Sequence, residues 1–430
     1  MTAFAFVIGV VVLVIGLAVS IALHELGHLV PAKLFGVRVG QYMIGFGPTL
    51  WSRRFGETEY GVKAIPLGGY ISMAGMYPPS PKERERAAQA GRTGRAGGGF
   101  FATMVQDART ANDETLEGAD DARTFYRLPV WKRVVVMLGG PFMNLVFAIV
   151  LLTILFSGIG VQTATATVSS VSACVPSSTS ATTCAAGDPA APAQTAGIQP
   201  GDRIVSIDGQ AVSTFTDVSA IIQRSAGQQL ALVVERNGAQ QTIVVTPAAR
   251  TTGGQQVGFL GVTPTSAYVP QPIWSGAGAA FQNVGAVTGV IVRLPGLLYE
   301  TATSLFTGAP RDPNGPLSLV GAGAIAGEVA TSDVPVLNRV GGMLGLLASL
   351  NIALFVFNLV PLLPLDGGHV VIALWDGIKR TWAKIFRRPP PKPIDATKLV
   401  PVTFVVVVVL IAMGALLALA DIVNPVNVFG

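Results

Sequence analysis

The first stretch of the chain, Phe4 to about Val30, is almost wholly apolar, yet it ends on Ala22-Leu23-His24-Glu25-Leu26-Gly27-His28. A run of that length can cross the hydrocarbon core of a bilayer as a helix. On such a helix His24 and His28 fall one turn apart on one face. That spacing suits two nitrogen ligands of a tetrahedral zinc, and Glu25 beside them can act as general base toward water. The chain holds three histidines and ten glutamates in 430 residues, so composition alone does not generate the pattern. Ionisable groups inside an apolar span are rare and usually functional. The plainer alternative is two ordinary histidines on a membrane helix.

Composition supports a membrane protein. Half the residues are hydrophobic, 12% are charged and the mean hydropathy is +0.55, against about 25% charged residues in ordinary soluble domains. The net charge of +5 is no sign of nucleic acid binding, because the basic residues are sorted by loop. Fifteen of the 29 Lys and Arg lie between Lys33 and Arg133, and seven lie between Lys379 and Lys398. By the positive-inside rule those regions are expected in the cytoplasm, and the long segment Val161–Val340 outside it. Cys174 and Cys184 both fall in the exported segment, where a disulfide is plausible and two free thiols are the alternative. No Lys or Arg precedes the first apolar run, so a cleavable signal is not expected.

The fold class expected is a polytopic α-helical membrane protein of about four transmembrane helices, with a membrane-associated β-sheet and an extracytoplasmic α+β domain. A first transmembrane helix takes residues 1–33. Residues 34–77 read as strands with glycine turns, either tucked against the membrane core or forming a plain cytoplasmic hairpin. Residues 78–128 read as a flexible cytoplasmic insert, rich in Gly, Arg and Glu. A second span takes 129–160; its Pro141 permits a kink, and its Asn144 needs a partner in the core. Residues 266–335 read as amphipathic helices on the outer surface, with an extra pair of spans as the alternative. A third span takes 336–368, a Pro-rich cytoplasmic linker 369–400, and a fourth span 401–423.

Residues 161–265 are soluble in character. The string Gly197-Ile198-Gln199-Pro200-Gly201-Asp202-Arg203-Ile204-Val205-Ser206-Ile207-Asp208-Gly209, a helix-like Asp217–Arg224, and two strands joined at Asn237-Gly238 resemble a PDZ domain. Gly258-Phe259-Leu260-Gly261-Val262 is similar to that family's peptide-groove strand, placed last as in circularly permuted bacterial forms. The resemblance implies capture of an extended chain end by strand addition; a spacer of PDZ shape without a ligand is the alternative.

Two histidines leave a hydrolytic zinc one protein ligand short. Phe357-Asn358-Leu359-Val360-Pro361-Leu362-Leu363-Pro364-Leu365-Asp366-Gly367-Gly368-His369 is the evident donor segment. Asp366 is favoured over His369, because an intramembrane carboxylate needs a partner and the prolines let the chain turn inward. Together, H-E-x-x-H and N-x-x-P-x-x-P-L-D-G-G flanking the PDZ-like segment resemble the site-2 protease family of intramembrane zinc metalloproteases. More closely they are similar to its bacterial regulator-of-sigma-E protease group. The resemblance extends to Ile44-Gly45-Phe46-Gly47-Pro48, Ile65-Pro66-Leu67-Gly68-Gly69-Tyr70, Gly140-Pro141-Phe142-Met143-Asn144 and Gly315-Pro316-Leu317-Ser318-Leu319. It implies one Zn2+ held by His24, His28 and Asp366, with Glu25 as catalytic base.

The substrate side follows from the same reading. A strand near Gly68 and Gly69 accepts the unwound substrate, and Asn358 either helps to hold it or is a helix-packing amide. The resemblance further implies single-span substrates already trimmed outside, such as anti-sigma factors or remnant signal peptides, cut in the cell membrane toward its cytoplasmic side. The PDZ domain would meet the trimmed chain end. A catalytically inactive membrane PDZ scaffold is the rival from another class. An ion transporter would need polar residues along several spans, and Val402–Ala420 has none beyond Thr403.

Overall fold

The computed structural model describes residues 2–76, 123–176, 184–185, 187–252, 255–312, 315–389, 391 and 399–426. The expected insert therefore lies, at 78–122, outside the described residues, as does most of the Pro-rich stretch after Pro389. In chain order the elements are α1 (Thr2–Leu34), β1 (Val39–Phe55), β2 (Thr58–Met73), α2 (Val130–Thr153), β3 (Val161–Val171), α3 (Pro192–Thr195), β4 (Arg203–Ile207), β5 (Gln210–Ala211), α4 (Phe215–Arg224), β6 (Leu230–Arg236) and β7 (Ala239–Val245). There follow β8 (Ala248–Thr252), β9 (Gln255–Phe259), β10 (Val262–Val269), α5 (Ser275–Val292), α6 (Leu294–Thr307), α7 (Leu319–Thr331), α8 (Val336–Asn358), α9 (Asp366–Ile385) and α10 (Val400–Val423). They form two units, Met1–Leu155 with Ile273–Gly430, and Phe156–Pro272.

In the first unit, α1, α2 with its continuation to Ile159, α8 and α10 are each long and apolar enough to cross a membrane. Helices suit that setting because they satisfy their own backbone hydrogen bonds without water. Small residues then set how closely they approach. A Cβ on Gly27 of α1 would lie 2.2 Å from the Gly139 carbonyl oxygen of α2. Ser20 of α1 donates to Asn351 of α8, and both are fully buried. A polar pair sealed between two spans fixes their register, since each group left alone would be unsatisfied in an apolar surround.

Residues 266–335, read as surface helices with extra spans as the alternative, hold α5 and α6, bent 68° to each other, and α7. Taken as one bent element, α5 and α6 are long and apolar enough for a fifth span. Helix α7 packs directly on α1, where a Cβ at Gly9 would meet the Ala326 carbonyl oxygen at 2.3 Å. Its Gly and Ala content, which gave it no amphipathic stripe, is what lets it sit so close. One stretch, after Asp366, differs from the sequence reading. The expected linker from residue 369 is helical through Ile385, as α9. The prolines that suggested a linker begin only at Pro389, beyond the helix.

Strands β1 and β2 pair with repeated register shifts. Gln41 lies opposite both Ser72 and Glu59, and Ile44 opposite both Gly69 and Val62, while Trp51 to Phe55 lie opposite Val62 to Thr58. Two long bent strands thus supply four segments of sheet. Tyr42 donates to the Ala22 carbonyl of α1 at 2.7 Å, which ties this sheet to the helix that carries the histidines.

The second unit has a six-stranded sheet in the order β10-β3-β4-β6-β7, with β5 on β4, and a separate β8-β9 hairpin. Val168, Ile204, Ile207, Leu232 and Val234 alternate inward from the strands onto Val218 and Ile222 of α4. Thr214 and Asp217 close a capping box at the start of α4, satisfying amides that have no partner within the helix. Cys174 and Cys184 form a disulfide. Asp202 is fully buried and takes hydrogen bonds from Arg236 and the Gln199 amide. Burial alone would raise its carboxyl, but those hydrogen bonds and the Arg236 charge outweigh that and hold it below the usual aspartate value.

Candidate active site

Helix α1 carries His24 and His28 on consecutive turns, and the first residue of α9 is Asp366. The structure brings these three together. His24 Nε2 and His28 Nε2 lie 3.2 Å apart, and Asp366 Oδ2 is 3.3 Å from the first and 3.4 Å from the second. Ligands about 2.0–2.1 Å from a tetrahedral zinc are separated from one another by about 3.3 Å. The three atoms therefore form one face of such a tetrahedron, and the fourth corner is left for water or substrate. Asp366 Oδ2 is buried and makes no hydrogen bond. A carboxylate oxygen in that condition, with two imidazole nitrogens converging on it, fits a cation at the centre of the triangle.

The surrounding groups orient the two rings. His28 Nδ1 lies 2.8 Å from the Val136 carbonyl oxygen of α2. A carbonyl only accepts, so Nδ1 carries the proton and Nε2 presents its lone pair toward the metal position. His24 Nδ1 lies 3.2 Å from the Asn144 side-chain amide. With the amide nitrogen facing the ring, Asn144 Oδ1 is left buried without a partner. Exchanging the amide's oxygen and nitrogen gives His24 Nδ1–H an acceptor and removes that penalty. Asn144 thus has the partner that the sequence said it needed, which spacing along the chain could not name.

Glycines clear the room. A Cβ at Gly140 would fall 2.2 Å from His28 Nε2, so no side chain fits beneath that ring. Cβ atoms at Gly367 and Gly368 would meet the Leu359 carbonyl oxygen at 2.4 Å and the Leu363 nitrogen at 2.6 Å. The turn between α8 and α9 folds back on itself there and swings Asp366 to the histidines.

Glu25 is buried next to His24. Gly69 of β2 lies against it, since a Cβ there would come 2.8 Å from Glu25 Cγ. Gly68, at φ +134, faces the Phe46 ring instead. His369 lies one turn beyond Asp366 on α9 and is not one of the three clustered donors. Asn358, the last residue of α8, makes no side-chain hydrogen bond to a described residue and is half-buried.

The sequence model described as Peptidase family M50 matches residues 12–388, an interval that contains all three donors and Glu25. Zinc metalloprotease Rip1 of Mycobacterium tuberculosis is 32% identical over 449 residues, with 99% of each chain covered. Its namesake in Mycolicibacterium smegmatis is 32% identical over 456 residues, again with 99% of each chain covered. A putative zinc metalloprotease of Brucella suis is 30% identical over 374 residues, covering 84% of each chain. A match of this extent places the chain in peptidase family M50, the site-2 proteases, and makes it a zinc metalloprotease.

Proposed function

We propose that this protease cuts peptide bonds inside the membrane-spanning segments of single-span proteins already trimmed outside, such as anti-sigma factors or remnant signal peptides. One observation carries the reading: His24 and His28, two of the three clustered donors, lie on a helix apolar enough to span a bilayer, near the end followed by the basic residues. A zinc ion held by His24, His28 and Asp366 supplies Lewis-acid chemistry toward water and the scissile carbonyl. Glu25, as a carboxylate, accepts the proton of the attacking water and later delivers it to the leaving amine. The positive-inside distribution supports placing this chemistry toward the cytoplasm and the Phe156–Pro272 unit on the other side.

A transmembrane helix is protected from attack because its carbonyls are engaged in i→i−4 hydrogen bonds. The substrate must unwind and regain those bonds elsewhere. Gly69 sits against Glu25 and is paired with Ile44 on one side, so the other side of this strand is suited to take substrate as an added strand. Asn358 is the polar side chain we assign to steadying it.

In the second unit, among the described residues, β10 ends the sheet and is paired with β3 alone. A PDZ-like capture of the trimmed chain end uses that free edge. The test is cleavage of a purified single-span substrate by the full chain in detergent, with and without a zinc chelator and with Glu25→Gln. Cleavage that persists in the Glu25→Gln protein rules the mechanism out. Cleavage confined to soluble peptides rules out the substrate class.

A further inference from the structure

Helix α9 lies alongside α2 and runs against its direction. Asp366, its first residue, meets the ring nitrogens of His24 and His28. Those rings stand against Asn144 and Gly140 of α2. At the other end Asp376 meets Arg133 of α2 at 3.2 Å, and a Cβ at Gly377 would lie 3.2 Å from Val130. From Asp366 to Asp376 the helix advances about 15 Å, and α2 from Arg133 to Gly140 and Asn144 covers about 10–16 Å. The two intervals match, so α9 is seated on α2 in one antiparallel register with a polar contact at each end.

The contact farther from the donors is a buried ion pair. Arg133 is 5% exposed and Asp376 3%. Arg133 Nε and Nη2 are buried too, with no hydrogen-bond partner among the described residues. Lys379 reaches Asp376 Oδ1 at 3.3 Å, but from the next turn of the same helix. Two desolvated charges with two guanidinium nitrogens unsatisfied make a poor source of stability. The best-attested use of such a pair is to fix register. Register needs fixing here. Val370 of α9 packs on the apolar cluster that holds Leu29, Val136 and Met137, and apolar contacts of that kind discriminate weakly between neighbouring registers. The backbone hydrogen bonds from Leu362, Leu365 and Gly368 close within the turn before α9, so the turn keeps its shape without setting its level on α2. A one-turn slip would move α9 about 5.4 Å, whereas a zinc donor must lie within about 0.2 Å of its place. The same slip would part Arg133 from Asp376 and leave both charges buried and uncompensated.

We propose that Arg133 and Asp376 are positioning residues of the protease centre: their ion pair sets the register of α9 on α2 and so places Asp366 beside His24 and His28. The inference rests on the reading of Asp366 as a zinc donor. The pair stands about 15 Å along α9 from the donor cluster, so it acts on the metal through Asp366 and not by contact.

The experiment measures the zinc affinity of the purified full chain by competitive titration, with the heat stability of the metal-free protein followed beside it. Arg133→Met combined with Asp376→Leu removes both charges and leaves neither uncompensated, so the fold is kept. This double variant should bind zinc at least about 10-fold more weakly, the scale on which groups that orient a metal ligand act, while its metal-free stability is unchanged or raised. Arg133→Lys should keep most of the affinity, because the contact with Asp376 is single rather than bidentate. In an Asp366→Ala background the double change should cost nothing further, since the pair then has no donor to place. Unchanged zinc affinity in the double variant overturns the proposal. Equal losses with and without Asp366 also overturn it, because the site has then loosened as a whole. Asp366→Ala that binds zinc as tightly as the unaltered protein would overturn the donor assignment itself, and the proposal with it.

Discussion

Asn144 of α2 and His24 of α1 meet at 3.2 Å through the Asn144 amide and the ring nitrogen that faces away from Asp366. Groups in that position fix the tautomer and orientation of a ligating histidine, and losing them costs about 10–100-fold in metal affinity or activity. Asn144→Ala should weaken zinc binding by that factor, measured by competitive titration on the purified full chain. Asn144→Asp, which keeps an acceptor, should retain most of it. Equal affinity in all three proteins would show that the amide serves only helix packing.

Glu25 is buried beside the three clustered donors and is not one of them. Glu25→Gln should keep one zinc per chain by elemental analysis while turnover falls by about 10²–10⁴-fold, the usual contribution of a positioned acid–base group. Loss of the metal along with the activity would instead make Glu25 part of the binding site.

Gly140 gives a steric test free of any chemical change at His24, His28 and Asp366. A methyl group there would come 2.2 Å from His28 Nε2, so Gly140→Ala should displace the ring and lower zinc content. Gly414→Ala in α10, where nothing lies within 4 Å, is the matched control and should leave zinc content unchanged. Equal zinc content in the two variants would contradict the packing described.

The Phe156–Pro272 unit should respond to acid through Asp202. Its carboxyl is held below the usual value in the fold, so the charged pair stabilises the fold above the unfolded value of about 3.9 and that stability is lost as pH falls through the folded value. Protection of the β4 and β6 amides from hydrogen exchange, corrected for intrinsic rates, should therefore decline below about pH 4. Arg236→Ala leaves a buried carboxylate without its partner and should cost about 3 kcal/mol at neutral pH. Protection that stays constant down to pH 3 would remove Asp202 from the account.

What could be seen in the chain depended on range. His24 and His28 announce themselves because one helical turn separates them. Asp366, far along the sequence, was reachable because a carboxylate near the end of an apolar run has few reasons to be there. Helix α9 was legible in principle, since Leu374, Trp375, Ile378 and Trp382 keep helical spacing. The reading of a linker there came from the prolines that follow it. The docking of α7 on Gly9 and the link from Asn144 to His24 had no local signal. Each depends on which of several apolar helices lies next to which, and helices of uniform composition do not encode that in their period.

The glycine contacts carry a consequence for how this protein tolerates change over generations. Gly27, Gly139, Gly140 and Gly69 bring no side-chain chemistry, yet the space around each is already taken by carbonyl oxygens, the His28 ring or the Glu25 side chain. A saturation scan scored only by survival would therefore outline the protease centre with residues that have no functional group. The outline would be drawn as sharply as by the histidines themselves, because at those four positions the alphabet of permitted residues has a single letter.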